Sequence, residues 1–242
     1  MSRTSIIIPA RYDSKRFPGK PLKLICGKEL IIHVADKCVK AVGKQNLYVA
    51  TDSIKIKKKV LEENYKVIMT SKRCLTGTDR VAEASKKIKS DIYINVQGDE
   101  PLVSSNDIKK IIQAKKKNPN FVICGYSNIT KRDDPKNKNI PKVVINKFKE
   151  LVYISRAVIP SSKGKNVSFN LYKQVCIYAF NAKELERFSK IKRKSEIENI
   201  EDIEILRFFD LGIKIKMIKL KSDTFAVDEK KDIKKVEKIL KK

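Results

Sequence analysis

The sequence predicts an α/β domain with a mixed, mostly parallel sheet. Short apolar runs bounded by turn residues alternate with amphipathic stretches of helical length, and this alternation is typical of βαβ units. With 242 residues, 41% of them apolar, the chain is long enough to bury the core of one such domain. From about residue 121 several strand-like runs follow one another, which predicts an antiparallel insertion in the sheet.

The first half of the chain predicts four strands, each followed by a helix. Ser104 or Ser105 is a suitable N-cap for the fourth helix, and Thr76-Gly77-Thr78 leads into the third. The predicted strands cover residues 5–9, 46–50, 67–70 and 91–96, and the predicted helices cover 30–42, 54–64, 79–88 and 105–117.

The second half predicts more strands before helices return. Strand-like runs lie at 121–126, 142–145, 151–154 and 172–178, followed by helices at 182–188 and 202–211, a strand at 214–219 and a helix at 231–240. We therefore predict one domain over residues 1–242, with a smaller β-rich substrate or dimerisation subdomain at roughly 121–200.

The composition excludes several classes of protein. No apolar run approaches the roughly 18 residues of a membrane span, and the short run at Ile6-Ile7-Ile8 is not a signal peptide, so we predict a cytoplasmic protein without a membrane partner. Five scattered cysteines form no CxxC pair, which argues against a disulfide framework and a zinc site. The single histidine, His33, lies in an apolar stretch, where we expect a structural role.

The net charge of +27 has two possible interpretations. The excess lysines are spread along the whole chain, and no nucleic-acid-binding motif accompanies them. We therefore favour a background charge that helps to attract an anionic substrate. A basic nucleic-acid-binding protein stays open as the distant alternative.

The loop after the first strand carries four cations within ten residues, namely Arg11, Lys15, Arg16 and Lys20. Ligands of open α/β sheets bind beyond the carboxyl ends of the strands, and a triphosphate needs dispersed positive charge together with backbone N–H donors. The loop matches neither GxxxxGK[ST] nor GxGxxG. A basic surface loop is the alternative, but the position directly after a buried strand favours phosphate binding.

Acidic residues follow two of the later strands. Asp99 comes directly after the strong strand at 91–96, and Gly98 allows the backbone to approach a ligand closely. Asp228 follows the last strand, where it is either a helix N-cap or a metal ligand. Mg²⁺ binds through one or two carboxylates together with phosphate oxygens and waters, so this sparse pair suits it.

The basic loop also carries a family resemblance. Pro9-Ala10-Arg11-Tyr12, Ser14, Arg16 and Pro18-Gly19-Lys20-Pro21-Leu22 resemble the nucleotide loop of the 3-deoxy-manno-octulosonate cytidylyltransferases, also called CMP-KDO synthetases. The resemblance continues in order at residues 49–52, 69–70, 76–83, 95–101, 141–144, 155–157, 159–160 and 227–228. It implies a Rossmann-like three-layer nucleotidyltransferase (GT-A-like) fold, a homodimer and a role in making lipopolysaccharide, capsule or another glycan.

The resemblance assigns a role to each matching residue. Arg11, Lys20 and Asp99 are expected to be catalytic, and Asp99 and Asp228 to hold Mg²⁺. The expected nucleotide-binding residues are Pro9, Ala10, Arg11, Arg16, Lys20, Thr76, Gly77, Arg80 and Gln97. The expected sugar-binding residues are Gln97, Arg156, Gln174, Tyr178 and Glu204, with Arg156 as the partner of the sugar carboxylate.

The implied reaction joins CMP from CTP to an anionic 3-deoxy-2-keto sugar acid. KDO is the leading substrate, but two positions depart from the family pattern in the expected sugar pocket: Gln174 replaces a His, and Ile205 replaces a Gln. A KDO variant with altered hydroxyls or an amino group, or a nonulosonic acid, therefore stays open as the substrate.

Overall fold

The computed structural model describes residues 2–13, 17–131, 133–164, 169–221 and 225–241. Within these ranges the strands are Thr4–Ala10 (β1), Leu24–Ile25 (β2), Lys28–Glu29 (β3), Leu47–Thr51 (β4), Lys66–Met69 (β5), Ile92–Val96 (β6), Val122–Asn128 (β7), Lys142–Ile145 (β8), Leu151–Ser155 (β9), Tyr172–Phe180 (β10) and Ile215–Lys219 (β11). The helices are Leu30–Val42 (α1), Ile54–Glu62 (α2), Gly77–Ser85 (α3), Ser105–Lys117 (α4), Ala182–Lys190 (α5), Glu196–Glu201 (α6), Leu206–Asp210 (α7) and Lys230–Leu240 (α8). In the described part of the chain, no helix is both long and apolar enough to cross a bilayer.

The main sheet is mixed and mostly parallel, as the sequence predicts. Its strand order is β11-β7-β10-β6-β1-β4-β5. Strand β1 pairs in parallel with β4 and β6, β4 with β5, and β11 with β7, whereas β10 runs antiparallel to both β6 and β7. The carboxyl ends of β1 and β6 therefore lie side by side at one edge of the sheet.

The alternation of side chains along the strands builds a three-layer domain. On β1, Ile6 and Ile8 face one apolar cluster, which contains residues of α1, α2 and α4, whereas Ile7 faces the opposite cluster with α3, α5 and α7. Both faces of the sheet are thus covered by helices, which is why its central strands are almost continuously apolar.

The region at 121–200 is more closely joined to the sheet than its strand-rich sequence suggests. Strands β7 and β10 lie within the main sheet, and only β8 and β9 branch away, through a pairing of β8 with the edge of β10. Its role as a substrate or dimerisation subdomain stays a prediction.

Several local elements differ from their predictions. The predicted helix at 202–211 is wrong, because Asp202 is left-handed with φ 50° and only the short α7 follows it. Helix α6 and the β2–β3 hairpin are not in the prediction, since both are shorter than a reliable hydrophobic period. The third helix begins two residues earlier than predicted, because Thr76 rather than a later residue is its N-cap.

A buried ion pair joins the end of α4 to the beginning of α5. Lys115 is 1% exposed, and its Nζ lies 2.7 Å from each carboxylate oxygen of Glu184. The same ammonium donates to the carbonyl oxygens of Pro119 and Phe121. Burial lowers the pKa of Lys115 and raises the pKa of Glu184, and each charge opposes the shift of its partner.

We expect Lys115→Met to destabilise the protein by about 3–5 kcal/mol at neutral pH, because it leaves the Glu184 carboxylate buried without its cation. Without Lys115, burial holds the pKa of Glu184 above its unfolded value of about 4.3. The unfolded chain then loses this proton at a lower pH than the folded one, so the stability deficit grows as the pH rises through that range. Urea denaturation of the wild type and the variant at pH 4 and pH 8 measures the difference in their free energies of unfolding. An equal difference at both pH values contradicts the prediction.

Candidate active site

A cleft of about 710 Å³ opens at the carboxyl ends of β1 and β6. It brings together every predicted site residue that the structure describes, although these residues come from distant parts of the sequence. They are Pro9, Ala10, Arg11, Lys20, Thr76, Gly77, Arg80, Gln97, Asp99, Arg156, Gln174, Tyr178, Glu204 and Asp228. The remaining predicted nucleotide ligand, Arg16, lies outside the described residues.

The basic loop is shaped by a tight return of the backbone onto itself. The N–H of Gly19 donates to the carbonyl oxygen of Tyr12 at 2.9 Å, and Gly19 adopts φ +67°, a conformation that glycine enters without strain. A short 3₁₀ helix, Lys20–Leu22, follows immediately. This turn carries Lys20 back toward the end of β6.

The loop after β6 lies directly against the end of β1. A Cβ added to Gly98 would stand 2.8 Å from the carbonyl oxygen of Pro9. A Cβ added to Gly77, in the first turn of α3, would stand 3.0 Å from the side-chain amide of Gln97 and 3.2 Å from Pro9. The glycines let three backbone segments converge on the floor of the cleft.

The N-terminus of α3 forms one wall of the cleft. Thr76 caps the helix by accepting from the N–H of Asp79, and the Asp79 carboxylate accepts in return from the N–H and the hydroxyl of Thr76. Arg80, one residue further, is fixed by Asp52 at 2.8 Å and by the Thr70 hydroxyl at 2.6 Å. These side chains give α3 a fixed starting point and the guanidinium a fixed direction.

The two predicted metal ligands lie on adjacent segments. The N–H of Val227 donates to the backbone oxygen of Asp99 at 2.9 Å, which holds Asp228 beside the end of β6. The ammonium of Lys20 bridges the same two segments, at 2.7 Å from Asp99 Oδ2 and 2.8 Å from the Val227 oxygen. The Asp99 carboxylate thus already binds the ammonium cation of Lys20. Carboxylate oxygens are also the kind of ligand that Mg²⁺ prefers.

Glu204 joins the N-terminus of α3 to the end of β6. Its Oε2 accepts from the N–H of Thr78 at 2.9 Å, and its Oε1 accepts from the amide of Gln97 at 2.7 Å. Burial raises the pKa of Glu204, while the hydrogen bonds from Thr78 oppose the rise. The carboxyl group therefore spans α3 and the end of β6.

Gln174 and Tyr178 form a second polar pair on β10. The amide of Gln174 donates to the Tyr178 hydroxyl oxygen at 3.0 Å, and both side chains are buried. Burial raises the pKa of Tyr178, so the phenol keeps its proton and can donate it to a hydrogen-bond acceptor. The replacement of His by Gln thus leaves an uncharged hydrogen-bonding group in the cleft.

Arg156 lines the cleft but is already well supplied with acceptors. Its Nη1 and Nη2 donate to the backbone oxygens of Lys138 and Asp202 at 2.6 and 2.9 Å, and its Nε donates to that of Glu201. These contacts use three of the five guanidinium N–H groups. Arg156 therefore ties together the loops on this side of the cleft, in addition to any role in binding a substrate.

The prediction that Ile205 belongs to the sugar pocket is wrong. Its side chain is 0% exposed and packs in the apolar core with Leu206 and Phe208, whereas its neighbour Ile203 lines the cleft. The resemblance placed position 205 in the pocket, but after the left-handed Asp202 the structure puts Ile203 and Glu204 at the cleft and Ile205 in the core. An apolar residue at position 205 packs in the core, so its presence there does not remove a polar group from the cleft.

Sequence reasoning missed two cations of the cleft wall, Lys138 and Lys194. Lys194 forms an ion pair with Asp202, on the same loop that Arg156 holds. Neither lysine belongs to a motif, and among the 55 Lys and Arg residues of this chain nothing in the sequence distinguishes them.

Comparison with known proteins agrees with this geometry. The family model described as Cytidylyltransferase matches residues 5–215. A 3-deoxy-manno-octulosonate cytidylyltransferase of Thermodesulfovibrio yellowstonii is 38% identical, and the alignment covers 98% of each chain. An 8-amino-3,8-dideoxy-manno-octulosonate cytidylyltransferase of Shewanella baltica is 36% identical, with 96% of each chain covered.

The fold has an equally close counterpart among solved structures. The structure of CMP:2-keto-3-deoxy-manno-octonic acid synthetase complexed with CTP superposes with a TM-score of 0.91 at 33% identity, covering 99% of both chains. The predicted nucleotidyltransferase fold is thereby confirmed. On the family match, the near-full-length relatives and this fold, the chain belongs to the cytidylyltransferase family.

Proposed function

We propose that this protein transfers CMP from CTP to a 3-deoxy-2-keto sugar acid, with KDO as the first candidate, and releases pyrophosphate. The observation that carries the proposal is the single cleft that joins the basic loop after β1, the N-terminus of α3, the Asp99–Asp228 pair and the polar wall at Glu204. The names of the full-length relatives and of the CTP-bound structural neighbour support the same reaction.

The nucleotide occupies the side of the cleft formed by β1, its loop and α3. Arg11 and Lys20 neutralise the triphosphate and then the departing pyrophosphate, assisted by Arg16, while Pro9 and Ala10 contact the nucleotide beside them. Thr76, Gly77 and Arg80 bind the cytosine side, where the fixed guanidinium of Arg80 offers donors to a base.

In the reaction, the anomeric 2-hydroxyl oxygen of the sugar bonds to the α-phosphorus of CTP. The bond from that phosphorus to the bridging oxygen breaks, and the hydroxyl proton passes to solvent. Transfer of this kind depends mainly on positioning and charge neutralisation, and it needs no protein nucleophile. Asp99 and Asp228 would hold Mg²⁺, which supplies polarisation of the α-phosphate when it is bound.

The sugar acid occupies the wall formed by Gln97, Glu204, Gln174 and Tyr178, whose hydrogen-bonding groups match hydroxyls. Arg156 binds the sugar carboxylate through its terminal nitrogens, Nη1 and Nη2. Each of them uses one N–H group on a described backbone oxygen and has a second N–H group for the substrate. Lys138 and Lys194 add positive charge to the same side. We further propose a homodimer, which the resemblance implies, and a cytoplasmic location, as predicted from the sequence. The product would serve the synthesis of lipopolysaccharide, capsule or another glycan.

An 8-amino-3,8-dideoxy sugar acid is the second candidate substrate. Relatives named for that substrate are 35–37% identical to this chain, which lies between the 34% and 38% of two relatives named for the KDO enzyme. The site also carries the uncharged Gln174, bonded to Tyr178, where the family pattern has a His, so its hydrogen bonding to a sugar would differ. Discrimination by such polar groups is strong, because an unpaired buried group is costly.

Pyrophosphate release with CTP and Mg²⁺ tests the proposed reaction across KDO, its 8-amino form and a nonulosonic acid. We expect turnover with KDO or its 8-amino form, and none when UTP or ATP replaces CTP. Turnover with the nonulosonic acid alone would contradict the octulosonate assignment. Steep salt-dependent RNA binding without transfer from CTP would instead favour the nucleic-acid alternative.

We expect Asp99→Asn to lower kcat on the order of 100-fold or more, because a lost metal ligand removes several kcal/mol of transition-state stabilisation. Its melting temperature should change little, since the side chain is partly exposed. The matched control is Asp133→Asn, which removes a Lys–Asp pair of the same 2.7 Å length outside the cleft and should keep kcat within about twofold. Near-normal turnover of the Asp99 variant would refute its metal role.

A further inference from the structure

Arg207 is a fully buried cation that lies behind the wall of the cleft. It belongs to α7, is 1% exposed and makes two bidentate ion pairs. Toward α6 it donates to both carboxylate oxygens of Glu198, at 2.6 and 2.7 Å. Toward α3 it donates to both carboxylate oxygens of Asp79, at 2.7 and 3.1 Å.

Asp79 connects this buried cation to the cleft. The same carboxylate oxygen that Arg207 contacts through Nη2 also accepts from the N–H and the hydroxyl of Thr76, at 2.9 and 2.7 Å. Thr76 and the next residue, Gly77, line the cleft. A displacement of the Asp79 carboxylate therefore moves the capping residue of α3 directly.

A second contact from the same segment holds the same helical turn. Glu204, three residues before Arg207, accepts from the N–H of Thr78. The first turn of α3 is thus fixed from the cleft side by Glu204 and from the core side by Arg207. Both contacts span more than 120 residues of sequence, so no local propensity replaces them.

The geometry requires an arginine at this position. A planar guanidinium can bind two carboxylates bidentately, whereas a lysine ammonium is a point charge. The guanidinium carbon also lies 3.9 Å from the ring centroid of Phe188. Burial opposes the charge, but the hydrogen bonds that Arg207 donates to Glu198 and Asp79 raise its pKa above the ordinary value, so it stays charged.

We propose that Arg207 is a positioning residue for the nucleotide. It holds the Thr76–Asp79 cap so that the first turn of α3 stands where CTP binds, and it does so without touching the substrate. The inference rests on the proposed function, because it takes the N-terminus of α3 as the binding site of the cytidine.

The test compares the variants Arg207→Lys and Asp79→Asn with the wild type. Arg207→Lys keeps the positive charge and removes the planar group that binds carboxylates bidentately. The matched control is Lys115→Met, which breaks another buried ion pair, whose cation is as little exposed as Arg207 and whose two residues do not line the cleft. Calorimetric titration with CTP in the absence of sugar gives Kd, circular dichroism gives the melting temperature, and steady-state kinetics give KM for CTP and kcat.

We expect Arg207→Lys and Asp79→Asn to weaken CTP binding on the order of 10-fold, with KM for CTP rising more than kcat falls, because misplaced binding groups lose affinity before they lose chemistry. The double variant should bind CTP no more weakly than the single variant with the lower affinity, because both substitutions break the same Arg207–Asp79 contact. Lys115→Met should lose stability and keep the wild-type Kd.

Arg207 variants that lose stability like Lys115→Met but bind CTP as the wild type does would overturn the inference. If Arg207→Lys fails to fold, Asp79→Asn carries the same test, and wild-type CTP affinity in that variant overturns the inference equally. A wild-type protein that binds no CTP would contradict the proposed function itself, so the two failures are distinguishable.

Discussion

The site depends on how the first turn of α3 is held. This turn carries Thr76, Gly77 and Arg80 to the cleft, but its position is set by Glu204 and Arg207, which lie far along the chain. Capping by Thr76 and Asp79 fixes where the helix begins, and the two long-range contacts fix where that beginning stands in space. Because Glu204 also accepts from Gln97 at the end of β6, one carboxyl group sets the distance between the helix and the sheet.

Several cations of the cleft already have partners before any substrate arrives. Lys20 pairs with Asp99, Arg80 with Asp52 and Lys194 with Asp202, while Arg156 is held by backbone oxygens. In the proposed reaction, a triphosphate that attracts Lys20 would leave the Asp99 carboxylate free to bind Mg²⁺, so nucleotide and metal would favour each other at this point. The net charge of +27 would add a long-range attraction for the anionic substrates.

The sequence was sufficient to predict the sheet and to predict that the candidate site residues lie in one cleft. Buried parallel strands are apolar on both faces, so β1, β4 and β6 stand out as short apolar runs, and the residues after them have to meet at one edge. It was insufficient for the segment 196–210, where Asp202 is left-handed, two short helices stand in place of the predicted one, and Ile205 lies in the core. It also could not identify Arg207, Lys138 or Lys194. The role of such a lysine or arginine depends on where the fold places it and on its partners there, which no local sequence pattern shows.

In the proposed complex, the cytidine binds against the first turn of α3 while the triphosphate lies on the loop after β1. A crystal structure of the protein with CTP and Mg²⁺ would show both positions. We expect cytosine beside Thr76, Gly77 and Arg80, phosphates at Arg11 and Lys20, and the metal at Asp99 and Asp228, with the Glu204–Thr78 hydrogen bond retained. Cytosine bound away from α3, or a metal that Asp99 does not ligate, would contradict it.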